Sequence, residues 1–317
     1  MLEDAQSPGR SCPLRYRYGA SAIASAPLVE TETLYVVGGL YGNVEALDVI
    51  EKLSVSETGK VRLCFNGDFN WFNVDDQSFQ GVMSRVLEHD AVLGNVEAEL
   101  GVEGEEAGCG CAYPESVDSA VVERSNRIHA RLKSTAARFP ELTARLEALP
   151  MFARYKVGDC RIAIVHGDAD SLAGWRFSRA ELAATATDPG SADWLRDAFF
   201  QAQVEVFASS HTCEPVLHQH PHHPDVNVVI NNGAAGMPNF PGQLSGLITR
   251  ISLTPFDSST LAGLNVIERT QVHGVEIAAI SVPYDHTQWR TRFLANWPEG
   301  SEAYVSYYAR IMGNISS

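Results

Sequence analysis

Four polar side chains of this 317-residue chain stand where a binding site is easiest to build. Asp68, Asn95, His166 and His211 each fall one to three residues beyond a short apolar or β-branched run: Val61 to Phe65, Ala91 to Leu93, Arg161 to Val165 and Val204 to Ala208. Runs of this length, closed by clusters of Gly, Asn, Asp or Ser, read as buried strands. In open α/β sheets ligands collect in the crevice at the carboxyl ends of the strands. Four strands would therefore bring a carboxylate, an amide and two imidazoles to one place.

The elements that must position them follow the same rhythm. Leu34 to Val37 runs into Gly38-Gly39, and Val226 to Ile230 into Asn231-Asn232-Gly233. Between the runs, Asn43 to Leu53 and Ser119 to Leu149 have helical spacing or helix-forming composition. The fold class is α/β with a largely buried sheet. Val272 to Tyr284 alternates as one or two further strands, with Gly263 to Glu268 as a partner, and Thr287 to Met312 reads as helix broken at Pro298-Glu299-Gly300. Residues 1–31 show no period and read as an N-terminal arm, leaving residues 32–317 as a single domain. His218, His220, His222 and His223, with Pro221 and Pro224 among them, read as a polar hairpin loop rather than a metal site.

Composition excludes several classes. At 45% hydrophobic residues the chain can bury a large core. Acidic residues outnumber basic ones 39 to 24, a formal charge of −15, so nucleic acid and anionic membranes are repelled and neither is an expected partner. No apolar run reaches the ~18 to 20 residues of a membrane span, and the polar start reads against a secretory signal. Six cysteines in so long a chain are not a disulfide scaffold and indicate free thiols in a reducing, cytoplasmic compartment. The oligomeric state is left open.

In order along the chain, Val37-Gly38-Gly39-Leu40-Tyr41-Gly42-Asn43, Asn66-Gly67-Asp68, Gly94-Asn95-Val96-Glu97, His166-Gly167-Asp168 and Ser210-His211-Thr212-Cys213 occur after strands. This series resembles the motifs of the calcineurin-like metallophosphoesterases: D-x-H-G-N, G-D-x-x-D, G-N-H-D/E, a histidine beside glycine, and G-H-x-H. The resemblance spans about residues 33–255. It implies a four-layer sandwich of two packed mixed β-sheets flanked by helices, and hydrolysis of a small phosphorylated substrate.

The departures from the family pattern divide by metal. The first metal's positions read Gly39, Tyr41, Asp68 and Cys213, so only the shared bridging aspartate remains. The second metal's positions read Asp68, Asn95, His166 and His211, all retained. The resemblance thus implies one divalent ion, and this donor set suits Zn²⁺, Mn²⁺ or Fe²⁺ better than Ca²⁺. Cys213, at an old ligand position two residues beyond His211, is a further candidate ligand. The family's G-N-H-D/E histidine is Val96, which cannot donate a proton; general-acid help is worth ~10² to 10⁴ in rate. Tyr41, Asp168 and Arg176 are the candidate catalytic residues, with His129 and Arg127 as other possible donors. Tyr41 carries a phenol where the missing metal's histidine would be, and also reads as a filler of that place.

Other features carry weaker readings. Cys109 and Cys111 read as loop thiols, with metal binding or redox pairing as the alternative. Cys64 reads as core. Glu97, Glu99, Glu103, Glu105 and Glu106 form an acidic segment that reads as a solvated face, with orientation of Asn95 or another neighbour by Glu97 as the alternative. Arg124, Arg127, Arg131 and Lys133 form a basic stripe that reads as a solvated helix face, with phosphate recognition as the alternative. Trp175 and Arg176 offer a stacking face and a charge. A silent module that binds a phospholigand or partner without turnover is the rival to a hydrolase, and the turn Gly38 to Gly42 is a third, nucleotide-binding reading.

Overall fold

The structure, a computed structural model, describes residues 7–104, 107–222, 225–259 and 262–315. After a 3-10 turn at Leu14–Tyr16 come α1 (Ala20–Ala24), β1 (Leu28–Thr31), β2 (Thr33–Val37), α2 (Val44–Ser56) and β3 (Val61–Asn66). Then follow α3 (Asp76–Val86), β4 (Asp90–Val92), the single turn α4 (Asn95–Ala98), α5 (Ser119–Ala136) and α6 (Pro140–Glu147). The middle is completed by β5 (Phe152–Val157), β6 (Cys160–Val165), α7 (Arg179–Ala184), α8 (Pro189–Ala202) and β7 (Val206–Ser209). The last third holds β8 (Pro215–His222), β9 (Asp225–Asn232), β10 (Ser245–Ser252), β11 (Val266–Val272), β12 (Val275–Pro283), α9 (His286–Asn296) and α10 (Glu302–Ile311).

Period-two alternation decides the layers. On β2, Leu34 and Val36 pack with Ile162, Ile164, Val206 and Ala208 of the other sheet, while Tyr35 and Val37 turn to Leu47 and Ile50 of α2. On β6, Ala163 and Val165 pack instead against Ile23 of α1 and Leu195 and Phe199 of α8. Each strand is thus apolar on both faces, as a buried sheet requires, and each fully buried aliphatic side chain contributes ~1.5 to 3 kcal/mol. One sheet has the order β1-β5-β6-β7-β9-β8, the other β11-β12-β10-β2-β3-β4. Both are mixed and helices flank them, so the four-layer α/β sandwich expected from the resemblance is the fold.

The topology sets the site. β2, β3 and β4 run parallel in one sheet, and β6, β7 and β9 run parallel in the other. Their carboxyl ends share one rim, where Asp68 and Asn95 arrive from the first sheet and His166 and His211 from the second.

Several elements depart from the sequence reading. The stretch 1–31, read as an arm, contributes from residue 7 onward to the body: Tyr16, Ala20 and Ile23 are buried, and β1 pairs in parallel with β5 from Leu28↔Arg154 to Thr31↔Val157. A few apolar residues among Ser, Pro and Gly leave no detectable period, although tertiary contact buries Tyr16, Ala20 and Ile23. Ser119 to Leu149 is two helices, because Pro140 lacks the N–H to continue α5 but suits the first turn of α6. His218, His220 and His222 lie on strand β8 and not in a loop; β8 is an edge strand, where Pro221 is tolerated. His223 and Pro224 lie outside the described residues.

The N-terminal segment also ties the site's loops together. Arg10 donates to Pro114 O and Val117 O at 2.8 and 2.7 Å, and Tyr16 O–H and Arg15 both donate to Glu99, one residue beyond α4. Replacing Tyr16 by Phe would leave a buried carboxylate short of a donor. Tyr16→Phe should therefore lower the unfolding free energy by ~1 to 3 kcal/mol in a denaturant titration; an unchanged midpoint would mean that the segment does not fold cooperatively with the domain.

Candidate functional site

Local backbone geometry delivers Asp68 to the rim. Gly67 has φ 71°, and a Cβ there would stand 2.5 Å from both Gly94 Cα and His166 Nδ1, so only glycine lets the β3 loop pass. Asp68 itself is left-handed at φ 55°. Buried Glu97 holds that turn: its carboxylate accepts from the N–H groups of Asp68 at 2.9 Å, Phe69 at 2.8 Å and Gly94 at 3.2 Å. Tyr41, Ala112 and Cys213 are also left-handed, which gathers four of the six non-glycine residues with positive φ among the described residues around one rim. Such strain persists where the surroundings over-determine it, and it clusters at functional sites.

The side chains of the set are oriented from behind. His166 Nδ1 stands 2.9 Å from Asn66 O, a carbonyl that can only accept, so the ring's proton is on Nδ1 and the Nε2 lone pair is bare. His211 Nε2 likewise faces Cys111 O at 3.0 Å, which leaves its Nδ1 lone pair bare. Asn95 donates from Nδ2 to Cys109 O at 2.9 Å, which turns Oδ1 inward. Around His166 Nε2 then stand Asn95 Oδ1 at 2.9 Å, His211 Nδ1 at 3.2 Å and Asp68 Oδ1 at 3.5 Å.

These are four acceptor atoms turned toward one another. Asp68 Oδ1 is buried and has no hydrogen-bond partner among the described residues. Burial holds His166 down to about 4, and burial together with His166 holds His211 down to about 3, so both imidazoles are neutral at pH 7. Burial pushes Asp68 up to about 7 against the Val96 N–H, and burial plus the charge of Asp68 pushes Glu97 up to about 8. The chemistry of the set fits a borderline divalent cation. The contacts radiate from His166 Nε2, the fourth donor being an amide, and no three His, Cys, Asp or Glu side chains among the described residues form a group at metal-holding spacing.

The side where the resemblance would put a first metal is filled. A Cβ on Gly39 would stand 2.8 Å from Tyr41 Cε2 and 3.1 Å from its hydroxyl oxygen, so the Tyr41 ring lies where a side chain at 39 would start. Tyr41 O–H touches Cys213 Sγ. Burial pushes the phenol well above its ordinary range and the thiol up to about 11, so both are protonated. Cys213 therefore belongs to the Tyr41 side and makes no contact with His166 Nε2 among the described interactions.

The other candidates are placed as follows. Asp168 uses its carboxylate to accept from the N–H groups of Asp170 (2.9 Å), Ser171 (3.0 Å) and Arg176 (3.1 Å), and organises the loop after β6. Arg176 is half-exposed, lies over the Trp194 ring at 4.3 Å, and does not line the cleft. Buried His129 faces Val96 O at 3.0 Å, and Arg127 pairs with Glu123 on the surface. The basic stripe is engaged in surface contacts, Arg124 with Ser306, Arg131 over Trp297 and Lys133 with Gly104 O. Cys109 and Cys111 are buried free thiols whose carbonyls orient Asn95 and His211. Glu105 and Glu106 lie outside the described residues.

A cleft of about 170 Å³ opens beside Asp68, Asn95 and His211. Trp175 lines it as the sequence suggested, its Nε1 donating to Cys111 O at 3.0 Å and its ring 5.2 Å from that of His211. Trp71, Tyr113, Tyr307 and Arg310 also line it, and sequence reasoning missed all four. A larger groove, about 620 Å³, lies near the amino ends of β6 and β7 around Arg161, Phe200 and Glu205, away from this rim.

No family model matches the chain, and no curated protein matches it significantly. Solved structures do. A metallophosphoesterase from Sphaerobacter thermophilus is 16% identical, with a TM-score of 0.51 over 90% of this chain and 100% of that one. A hypothetical protein from Pyrococcus horikoshii is 15% identical, with a TM-score of 0.56 over 90% and 99%. The chain has the calcineurin-like metallophosphoesterase fold.

The contact between Gly39 and Tyr41 couples the two departures. Gly39→Asp, which places the acid of the D-x-H motif, should cost at least ~2 kcal/mol because carboxylate and ring compete for one space, whereas adding Tyr41→His should recover part of it. Urea unfolding of the single and double variants reads this; strictly additive costs would show that the positions are independent.

Proposed function

We propose that this protein is a divergent metallophosphoesterase that hydrolyses a phosphate ester or anhydride with one divalent ion, Zn²⁺, Mn²⁺ or Fe²⁺, held by Asp68, Asn95, His166 and His211. The observation that carries this reading is the convergence of bare lone pairs on His166 Nε2, each fixed by a backbone carbonyl behind it, with the Asp68 oxygen unpartnered. Bonds of ~2.0 to 2.2 Å to one ion would set neighbouring donors ~3 to 3.5 Å apart, and the contacts here run from 2.9 to 3.5 Å.

A bound ion would polarise a phosphoryl oxygen and lower the pKa of its water. The chain's own residues orient the substrate. Tyr41, kept neutral by burial, offers a hydrogen-bond donor at the cleft. In the overall reaction the water oxygen forms the new P–O bond and gives up its proton to solvent, and the leaving oxygen departs with its bonding pair and takes a proton from solvent, since Val96 donates none. Slow turnover follows from that loss.

Val96 is also what favours the second reading, a module that binds a phosphorylated ligand without turning it over. Metal analysis after loading with Zn²⁺ or Mn²⁺, with a phosphatase and phosphodiesterase screen, separates the two. The hydrolase reading expects one ion per chain, measurable turnover, and loss of both in His166→Ala, with turnover reduced at least ~100-fold and restored by no added metal. An ion without turnover on any substrate supports the module, and absence of a bound ion sinks the metal site in both readings.

A further inference from the structure

Arg310, on α10, lines the same cleft as Asp68 and His211. Its guanidinium is fixed in place: Nε donates to Pro238 O at 2.8 Å, and Nη2 to Cys213 O and Asn239 Oδ1 at 3.2 Å each. Nη1 has no hydrogen-bond partner among the described residues. Its charge reaches the Tyr41 phenol and the Cys213 thiol, where it opposes the upward push of burial. Those two side chains fill the first-metal side, so a fixed cation stands beside the place where the retained motifs leave a positive charge missing.

The remaining walls are flat and aromatic. Trp71, Tyr113, Trp175 and Tyr307 surround the cleft, and Trp71 Nε1 is a buried donor with no partner among the described residues. Thr212 Oγ1 accepts from Asn231 Nδ2 at 3.0 Å, which leaves its own O–H free to donate into the cleft it lines. A volume of about 170 Å³ is below the ~300 Å³ at which drug-sized pockets begin and fits a small molecule, not a polymer. With a divalent ion (+2), Asp68 (−1) and Arg310 (+1), the site sums to +2, which matches a phosphate monoester dianion better than a singly charged diester.

We propose that Arg310 binds the phosphate in place of the lost first metal, and that the cleft takes the phosphate monoester of a flat aromatic alcohol, its ring against the Trp and Tyr walls. The proposal rests on the single-metal reading for its charge balance. Arginine suits the role because its fork holds phosphate oxygens with more than one N–H while its other nitrogens stay anchored. Aromatic faces stack on a planar group and gain little from an alkyl one.

Calorimetric titration of the zinc-loaded full chain with inorganic phosphate, phenyl phosphate and ethyl phosphate tests it. Phenyl phosphate should bind at least ten times more tightly than ethyl phosphate, and Arg310→Met should weaken phosphate binding at least tenfold with zinc still at one per chain. Because Arg310 also anchors three backbone and side-chain groups, a wild-type measurement stands beside the variant: phosphate should protect Arg310 from phenylglyoxal, read by mass spectrometry. One zinc per chain with phosphate affinity unchanged in Arg310→Met, or Arg310 modified equally with and without phosphate, overturns the arginine's role. Equal affinity for the two esters overturns the aromatic substrate class. Arg310-dependent phosphate binding by a chain that takes up no zinc would sink the metal reading and keep the arginine.

Discussion

The crowding of acceptor atoms at His166 Nε2 is the constraint on which the site depends. A neutral imidazole has one proton, and in both His166 and His211 a backbone carbonyl claims it. The second ring nitrogens are then forced to face each other, the Asn95 oxygen and Asp68, all of them buried. Such an arrangement is costly unless a cation relieves it. The surrounding structure is built to maintain it: Glu97 fixes the left-handed turn of Asp68, Gly67 lets the β3 loop approach His166, and Ser210 O–H shares the Asn66 carbonyl at 2.8 Å.

The two halves of the motif series differ for a physical reason. On one side every donor and its supporting bond is present. On the other, Gly39, Tyr41 and Cys213 form a packed contact in which the Tyr41 ring takes the space of a side chain at 39, and the thiol closes on the phenol. A vacated ligand site would leave a polar void; an aromatic ring and a thiol fill it with protonated, weakly polar groups. Arg310 then lies at the edge of that filled region, in the cleft shared with the retained donors.

Much of this was legible in the sequence because strands announce themselves locally. Apolar runs ending in small polar clusters placed Asp68, Asn95, His166 and His211 at strand ends, and the order of the motifs pointed to the sandwich. The contributions that were not legible come from chain segments whose meaning is set only by tertiary contact. Arg310 and Tyr307 sit on a helix some hundred residues beyond His211, where the aromatic spacing signals packing alone. Tyr16, Ala20 and Ile23 are too sparse to show a period, yet all are buried. Asp168, adjacent to the motif glycine, looked like a reacting group because sequence does not say which way a carboxylate turns; it turns to three N–H groups of its own loop.

The account predicts one cation site and a filled neighbour. Anomalous diffraction from crystals grown with Zn²⁺ or Mn²⁺, collected at the metal's absorption edge, reads this most directly. A single peak bonded to Asp68 Oδ1, Asn95 Oδ1, His166 Nε2 and His211 Nδ1, with the Tyr41 ring still lying on Gly39, is the expected result. Two peaks ~3.5 to 4 Å apart, or none at these donors, would contradict it.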